Sequence, residues 1–334
     1  MTPTVDVIVP CFNYGRLLTD CVRSVLDQEG VSVRVLIMDD ASTDNTEGVG
    51  RRLGEDPRVE FRRHAMNRGH IATYNEALAL VTANYVVLLS ADDMLTPGAL
   101  ARATQLMDAD PRIGVVYGRD IPFRDRTPLP APRVGAAAPL MFEYGDFLRA
   151  ACRLGHTGIQ APTVVVRTTV HRAIGNYLPE LPHSGDTEIW LRMAAASMVA
   201  ELDADQAYRR LHTSNMSLGY TPLQRLLEQV RAFDIHFDRQ PLPADLAALR
   251  AVARRTIAEA AVWSAAHAFD REELEVCDAF LDFAVTTSPG IEWWPACWRL
   301  RWKRRVGPAA WRMISPIAQR ARRLTHAAGE RSSA

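Results

Sequence analysis

The sequence lacks long apolar runs and any pairing pattern among its cysteines. No apolar run in the 334 residues approaches the length of a membrane-spanning helix. The five cysteines form no CxxC pair and no metal-ligand spacing, and an odd number cannot all pair within one chain. The first residues also lack the basic and then apolar pattern of a secretory signal. We therefore expect a cytoplasmic protein, since a reducing compartment suits unpaired thiols.

Three common motifs of nucleotide-binding and hydrolytic enzymes are absent as well. After the first predicted strand the turn reads PCFNYG, with bulky side chains where GxGxxG would bring glycines close to a dinucleotide phosphate. The GxxxxGK[ST] phosphate loop is missing, and so is the GxSxG nucleophile elbow. These absences argue against a dinucleotide-dependent enzyme, a P-loop enzyme and a serine hydrolase of the elbow type.

Strand-like and helix-like patterns alternate over the first 120 residues. Helical spacing of apolar residues separates the strands; Ser42 or Thr43 is expected to cap the second helix, and Pro97 to occupy the first position of the fourth. The alternation predicts an α/β, Rossmann-like fold with a mostly parallel central sheet flanked by helices. The apolar runs predicted as strands are Val5–Pro10, Val33–Met38, Val59–Arg62, Tyr85–Leu89 and Ile113–Tyr117.

The pattern changes in the second half of the chain. The proline-rich stretch Arg119–Pro139 predicts a surface loop, and a strand at Thr163–Arg167 and a helix at Thr187–Ala196 follow. Beyond Pro222 only helical periodicity remains. We therefore place a boundary near residue 220, with an α/β domain over residues 1–220 and a C-terminal helical region over residues 221–334.

Polar side chains follow four consecutive predicted strands. In an open parallel sheet, ligands bind at the carboxyl ends of the strands, where these side chains would meet. Two of the ends carry paired carboxylates, whose mutual repulsion a divalent cation such as Mg²⁺ or Mn²⁺ relieves. The alternative is that the last pair caps the next helix. The residues are Pro10, Phe12 and Asn13, then Asp39, Asp40, Ser42 and Asp44, then Asn67, Arg68 and Gly69, then Ser90, Asp92 and Asp93.

Several segments in register resemble the inverting family-2 glycosyltransferases of the GT-A fold. They are VDVIVPCFNYGRLLTDCVRSVLDQ, VLIMDDASTDNT, NRGHIATYNEAL and YVVLLSADDMLTPGAL, followed by TVVVR, SGDTEIWLRMA and YRRLHTSNMS. The likeness extends from about residue 4 to residue 220. It implies a nucleotide-sugar donor, expected to be UDP-linked, and Mn²⁺ or Mg²⁺ as cofactor. It also implies a glycan or lipid-linked hydroxyl acceptor in cell-envelope polysaccharide or glycoconjugate synthesis.

The resemblance implies roles for individual residues. Asp92 and Asp93 resemble the D-x-D element for metal and diphosphate, but the first acid is replaced, which leaves open which of the two binds the metal. His212 resembles a histidine that completes the metal shell in some relatives; a purely structural role is the alternative. The residues that match donor-binding positions are Pro10, Phe12, Asn13, Asp40, Arg68 and Gly69.

Asp186 is the expected general base. It lies in a segment that resembles the family's (E/G)D-x-x-x-W-L-R motif. The alternative is that Asp186 caps the helix Thr187–Ala196, and both roles are compatible. A base must be ionised at the working pH, so Asp186 needs no raised pKa for this role.

Two other functions compete with glycosyl transfer. A sugar-phosphate nucleotidyltransferase would also carry acids at strand ends, but it needs a glycine-rich, basic N-terminal loop that the sequence lacks. A non-catalytic nucleotide-sugar binding or scaffold protein would be indicated by a large separation between Asp186 and the pair Asp92 and Asp93. The acceptor site is expected to involve Arg119–Pro139 and Gly155–Gln160.

The C-terminal end is basic and rich in tryptophan. Ten basic residues follow Glu292, whereas Glu330 is the only acid there. Trp294, Trp298 and Trp302 recur every four residues and are predicted to line one face of a helix. We expect residues 293–323 to contact an anionic membrane at its inner face, with packing on the α/β domain as the alternative. No nucleic-acid partner is expected, because no recognised binding motif accompanies the charge.

Overall fold

The computed structural model describes residues 2–125, 128–213 and 215–311, which form a central sheet with helices on both faces. The strands are β1 (Thr4–Cys11), β2 (Ser32–Asp39), β3 (Val59–Arg63), β4 (Tyr85–Leu88), β5 (Met94–Leu95), β6 (Ile113–Phe123), β7 (Leu140–Phe142), β8 (Val165–Arg167) and β9 (Met198–Arg210). The helices of the α/β part are α1 (Gly15–Leu26), α2 (Thr46–Leu53), α3 (His70–Ala79), α4 (Ala99–Ala109), α5 (Tyr144–Leu154), α6 (Thr168–Ile174) and α7 (Gly185–Ala196). The C-terminal helices are α8 (Pro222–Arg239), α9 (Ala244–Ala247), α10 (Leu249–Asp270), α11 (Leu274–Thr287) and α12 (Pro295–Val306).

The sheet confirms the predicted α/β fold, with parallel pairing concentrated in its first half. The strand order is β3-β2-β1-β4-β8-β6-β9-β5, and β7 pairs with β9. Strands β3, β2, β1 and β4 are parallel, as expected when a helix returns each strand in the same direction. Strand β8 is antiparallel to β4 and β6, whereas β6 and β9 are parallel. The second half of the sheet is therefore mixed.

The predicted hydroxyl cap of α2 is wrong. The helix begins at Thr46, beyond both candidate residues. The hydroxyl of Ser42 instead accepts a hydrogen bond from the N–H of Asn13 at 2.8 Å, and the N–H of Thr43 donates to Oδ1 of Asn13 at 2.7 Å. These bonds tie the loop after β2 to the loop after β1.

The start of α4 also differs from the prediction. Gly98, in the left-handed conformation, precedes the first helical residue Ala99, so Pro97 lies outside the helix. The acids before it do not cap it: the N–H of Leu100 donates to Oε1 of Gln28 at 3.1 Å. The carboxylates of Asp92 and Asp93 therefore do not serve as caps of α4 and can contribute to a site at the edge of the sheet.

Strands β6 and β9 reach further than sequence patterns indicated. Strand β6 continues to Phe123, into the predicted loop Arg119–Pro139, and pairs along its length with β9. No strand was predicted over Met198–Arg210 because acids interrupt its apolar pattern. Partners on β6 satisfy those acids; Nε of Arg119, for example, lies 3.0 Å from Asp205.

The C-terminal helices share the core of the sheet. Alternation along β1 sends Val5, Val7 and Val9 to the face covered by α1 and α4, and Ile8 to the opposite face. On that opposite face one continuous apolar cluster joins the sheet to α7 and to Phe233 of α8, and extends through α10 and α11. The α/β and helical parts therefore form one packed body within the described residues, while the domain boundary near residue 220 stays a prediction.

The tryptophans near α12 differ in their contacts and exposure. Trp294 precedes the helix and packs edge-on against Trp263, with ring centroids 6.0 Å apart, while Arg255 lies over its ring. Trp298 and Trp302 remain 56% and 45% exposed. No helix within the described residues is long and apolar enough to cross a bilayer. Residues 312–323 of the predicted membrane surface lie outside the described residues.

Candidate active site

A cleft of about 850 Å³ opens at the carboxyl ends of β1, β2 and β4. It brings together most of the residues predicted from strand ends and includes Asp186 from the first turn of α7. The predicted residues that line it are Pro10, Phe12, Asn13, Asp40, Asn67, Gly69, Ser90, Asp92, Asp93 and Asp186.

Asp40 organises one wall of the cleft. Its carboxylate accepts hydrogen bonds from the N–H groups of Arg68 and Gly69 at 2.8 and 2.9 Å, and Nδ1 of His64 lies 2.7 Å away. Burial acts to raise the pKa of Asp40, but these hydrogen bonds outweigh it and hold the pKa below its usual value. Asp40 is therefore ionised and fixes the loop before α3, where Gly69 has a φ of +83° that favours glycine.

Arg68 and Phe12 differ in how they meet the cleft. The guanidinium of Arg68 pairs with Glu76 of α3 and does not line the cleft; only the backbone N–H of Arg68 reaches Asp40. The Phe12 ring is 44% exposed at the cleft, beside Asn13, whose left-handed φ of 60° is tolerated by asparagine. Participation of the Arg68 side chain in donor binding stays a prediction.

Asp92 and Asp93 are both buried beneath the cleft, each 6% exposed. Oδ1 of Asp93 accepts a hydrogen bond from the N–H of Arg210 at 2.9 Å. Burial, and then the neighbouring charge of Asp92, raise the pKa of Asp93 well above its ordinary value. Oδ2 of Asp92 lies 3.0 Å from Nε2 of His212 and 3.4 Å from Nδ2 of Asn215. Two carboxyl groups that resist joint ionisation are therefore held where a bound cation would stabilise their charged forms.

These residues fit a divalent cation that shares its shell with a substrate. Within residues 2–125, 128–213 and 215–311 no three acidic, histidine or cysteine side chains are already gathered as ligands. Mg²⁺ and Mn²⁺ commonly take one or two carboxylates plus phosphate oxygens, which agrees with two adjacent acids and His212 next to one of them. Asp92, Asp93 and His212 are the residues that would hold the ion.

Asp186 lies in an environment that raises its pKa. It is the second residue of α7, so the N-cap alternative is wrong: Ser184 occupies the cap position. Burial raises the pKa of Asp186, while a hydrogen bond donated by Tyr177 and the nearby His70 lower it in part. No local pattern in the sequence indicates this shift, because Tyr177 comes close to Asp186 only in the folded chain. A raised pKa suits a carboxylate that must accept a proton.

Aromatic residues that were not singled out from the sequence form another wall. Tyr74 packs edge-on against His70 and Tyr177, with ring centroids 5.4 and 5.7 Å away. Nε2 of His70 lies 2.7 Å from the carbonyl of Pro182, so this nitrogen carries the donated hydrogen. His70 and Tyr74 lie in the NRGHIATYNEAL segment, four residues apart on one face of α3, which is the available sequence signal.

Of the two stretches predicted to form the acceptor site, one contributes residues to the cleft. Ile159 and Gln160, from the predicted stretch Gly155–Gln160, line the cleft. Among the described residues, none from Arg119–Pro139 does so. Arg209 of β9 also lines it and pairs with Asp120 at 2.6 Å. Arg209 lies in a strand that the sequence pattern did not predict, which explains why it was missed.

Comparisons with known proteins agree with this geometry. Residues 6–168 match the model of glycosyl transferase family 2. The uncharacterized protein MT1568 of Mycobacterium tuberculosis is 25% identical over 242 residues, which cover 64% of this chain and 68% of that protein. The glycosyltransferase GlyG of Streptococcus pneumoniae is 30% identical over 125 residues, 36% of this chain and 41% of GlyG. The chain thus spans less than half of GlyG.

Solved structures support the same fold. Residues 1–349 of S. aureus TarS, in complex with UDP-GlcNAc, superpose with a TM-score of 0.63 at 17% identity, covering 86% of this chain and 82% of that one. The mannosyltransferase PcManGT of Pyrobaculum calidifontis, in complex with GDP-Man and Mn²⁺, gives 0.57 at 19% identity, covering 90% and 79%. The fold is that of the GT-A glycosyltransferases. The resemblance to family-2 glycosyltransferases that the sequence motifs indicated is confirmed by the family match over residues 6–168.

Proposed function

We propose that the protein transfers a sugar from a nucleotide donor, UDP-linked, to a hydroxyl acceptor with inversion at the anomeric carbon. The observation that carries this proposal is that Asp40, Asp92, Asp93 and Asp186 line a single cleft. A scaffold protein would not need Asp186 beside the other acids. The proximity therefore favours an enzyme over the scaffold alternative.

Each wall of the cleft has a part in the proposed reaction. The loop held by Asp40, together with Phe12 and Asn13, receives the nucleoside, and Asp92 and Asp93 face the diphosphate. A divalent cation held there would stabilise the charge that develops on the leaving nucleoside diphosphate. The oxygen of the acceptor hydroxyl attacks the anomeric carbon on the side opposite the leaving group, and Asp186 accepts the proton of that hydroxyl.

The ligands bound in the structural neighbours support the donor class. TarS was solved with UDP-GlcNAc and with UDP, and PcManGT with GDP-Man and Mn²⁺. Relatives include a chondroitin synthase of Pasteurella multocida and the succinoglycan biosynthesis protein ExoO of Rhizobium meliloti, which support a role in polysaccharide or glycoconjugate assembly. We infer a glycan or lipid-linked acceptor that enters past Ile159 and Gln160.

A donor-turnover assay tests the proposal. The protein is incubated with UDP- and GDP-sugars and Mn²⁺, and nucleoside diphosphate release is measured with and without glycan or lipid-linked acceptors. We expect one donor class to turn over, and Asp186→Asn to lower kcat by about 10²–10⁴-fold with donor binding retained. Glu29→Gln, at an exposed acid of the α1–β2 loop, is the matched control. Nucleotide-sugar binding without turnover would favour the scaffold alternative.

We also propose that the surface around α12 contacts an anionic membrane, at the cytoplasmic face. Trp293, Trp298 and Trp302 are exposed, and Arg301 and Arg305 of the same helix are exposed beside them. Within the part of the chain that the structure describes, these two arginines have no carboxylate partner at ion-pair distance. Aromatic rings with unpaired basic side chains suit the boundary between headgroups and acyl chains. Such contact would bring the cleft to a lipid-linked acceptor.

A further inference from the structure

Helix α8, from the C-terminal region, contacts the segment that leads into α7. Oε2 of Glu228 accepts hydrogen bonds from two successive backbone N–H groups, those of His183 at 2.7 Å and Ser184 at 3.0 Å. These residues directly precede α7, and Asp186 follows two positions later. One carboxylate from a distant helix therefore fixes the backbone just before the proposed base.

Gln229, the next residue of α8, bonds to residues on both sides of Asp186 in the sequence. Nε2 of Gln229 donates to Oγ1 of Thr187 at 3.0 Å, and Oε1 of Gln229 accepts from Oγ of Ser184 at 3.3 Å. Asp186 thus lies between two residues, Ser184 and Thr187, that are both bonded to α8. The contacts fix the rotation of the first turn of α7 as well as its position.

Helix α8 is fixed at its start and by Phe233 further along. Its start is defined by a capping box, in which Thr221 and Gln224 exchange side-chain to backbone hydrogen bonds. Further along, Phe233 is fully buried in the core that the helix shares with α7. Directly before the helix, the ring of His183 packs against the ring of Tyr220 with their centroids 4.7 Å apart. Glu228 therefore projects from a rigid element.

We propose that Glu228 is a positioning residue for Asp186, so that the helical region completes the base side of the active site. This inference rests on the proposed function. An ionised carboxylate that accepts two backbone hydrogen bonds makes stronger bonds than a neutral acceptor would. Without it, the N–H groups of His183 and Ser184 lose their partner and the first turn of α7 can shift. A shift of about 1 Å in a catalytic group is enough to lower turnover by about 10²-fold.

The role predicts a specific kinetic pattern. Glu228→Ala should lower kcat by about 10- to 100-fold and leave the donor KM within about twofold, because the donor wall of the cleft is untouched. Glu228→Gln retains a carbonyl oxygen that can accept the same bonds and should recover most of the loss. Arg231→Ala, at an exposed position of α8, is the matched control and should behave as wild type.

Hydrogen exchange gives a second readout that does not depend on activity. The amides of His183 and Ser184 should exchange faster in Glu228→Ala than in wild type, Glu228→Gln or Arg231→Ala. Absence of donor turnover in wild type would overturn the proposed function, while the exchange data would still test whether Glu228 holds the segment before α7. Unchanged exchange at these amides, unchanged kcat, or equal losses in kcat, donor affinity and melting temperature in Glu228→Ala would overturn the positioning role.

Discussion

Tyr177 lies close enough to Asp186, at the start of α7, for its hydroxyl to act as a hydrogen-bond donor that lowers the pKa of the carboxyl group. Burial and the Tyr177 hydroxyl have opposite effects on the ionisation of Asp186. Burial raises the pKa of Asp186, whereas the donated hydrogen bond favours the ionised carboxylate and lowers it. The balance leaves the pKa of Asp186 above its ordinary value, which has consequences for activity and for stability.

The first consequence is an acid limit on turnover. Only ionised Asp186 can accept the acceptor proton, so kcat should fall as the pH drops through its raised pKa, at a pH above the ordinary 3.8 of an aspartic acid. Tyr177→Phe keeps the packing but removes the hydroxyl donor. It should therefore move the acid limb of the pH profile, where kcat falls, to higher pH. A pH profile of kcat for both proteins measures the shift. An unmoved limb, or one that moves to lower pH, would contradict the assignment.

The second consequence concerns stability. A carboxyl group whose folded pKa lies above its unfolded pKa binds its proton more tightly in the folded state, so its ionisation costs folding free energy. That cost is absent below the unfolded pKa and complete above the folded pKa. Asp186→Asn should therefore be at least as stable as wild type at pH 8 and similar to it near pH 3.5. Melting temperatures across this range check the sign, and a variant destabilised at pH 8 would refute it.

Asp40 behaves in the opposite sense. Its pKa is lowered in the folded state, so its contribution to stability is present above the unfolded pKa and lost as the pH falls through the folded pKa. Asp40→Ala leaves the N–H groups of Arg68 and Gly69 without their acceptor and should cost about 1–3 kcal/mol of unfolding free energy at pH 7. Urea unfolding measures the loss of stability, and nucleotide titration measures the effect of the same substitution on nucleotide affinity. Loss of stability with unchanged nucleotide affinity would remove Asp40 from the donor site.

The α12 surface makes its own prediction. Replacement of Trp298 and Trp302 by alanine should weaken binding to vesicles that contain about 30% phosphatidylglycerol by at least ~10-fold, because both rings leave the interface. Arg301→Gln with Arg305→Gln should weaken it by roughly 1 kcal/mol per charge at low salt. Co-sedimentation measures both, with Met66→Ala, at another exposed apolar side chain, as the control. Equal binding of all variants would assign the exposed aromatics another role.

The strands buried on both faces were the most predictable part of the fold. Val5–Pro10 and Val33–Met38 fall within one residue of β1 and β2 at each end, because continuous apolar runs have few alternatives to a central parallel strand. Strand β9 was missed because Glu201 and Asp205 interrupt its pattern. Their partners, Tyr117 and Arg119, lie more than 80 residues away, and no local pattern indicates such pairs.

The candidate site was predictable to a similar extent. Acids at strand ends indicated Asp40 and Asp92 from the sequence, since the topology of a parallel sheet collects those ends at one edge. The partners that tune Asp186 were not predictable in this way. Tyr177 comes from the loop after α6 and Glu228 from α8, and neither lies in a periodic or motif position that relates it to α7.

Ligand-dependent thermal unfolding tests the central claim most directly. Melting temperatures are recorded with UDP and GDP, with Mn²⁺, and with each pair, for wild type, Asp92→Asn, Asp93→Asn and the control Glu29→Gln. Selective binding to the folded state at about 100 times Kd stabilises by about 2.7 kcal/mol. We predict the largest rise for one nucleotide with Mn²⁺ in wild type and the control, and its loss in both aspartate variants. No rise with any nucleotide, or the same rise in all four proteins, would contradict a nucleotide-sugar site at Asp92 and Asp93.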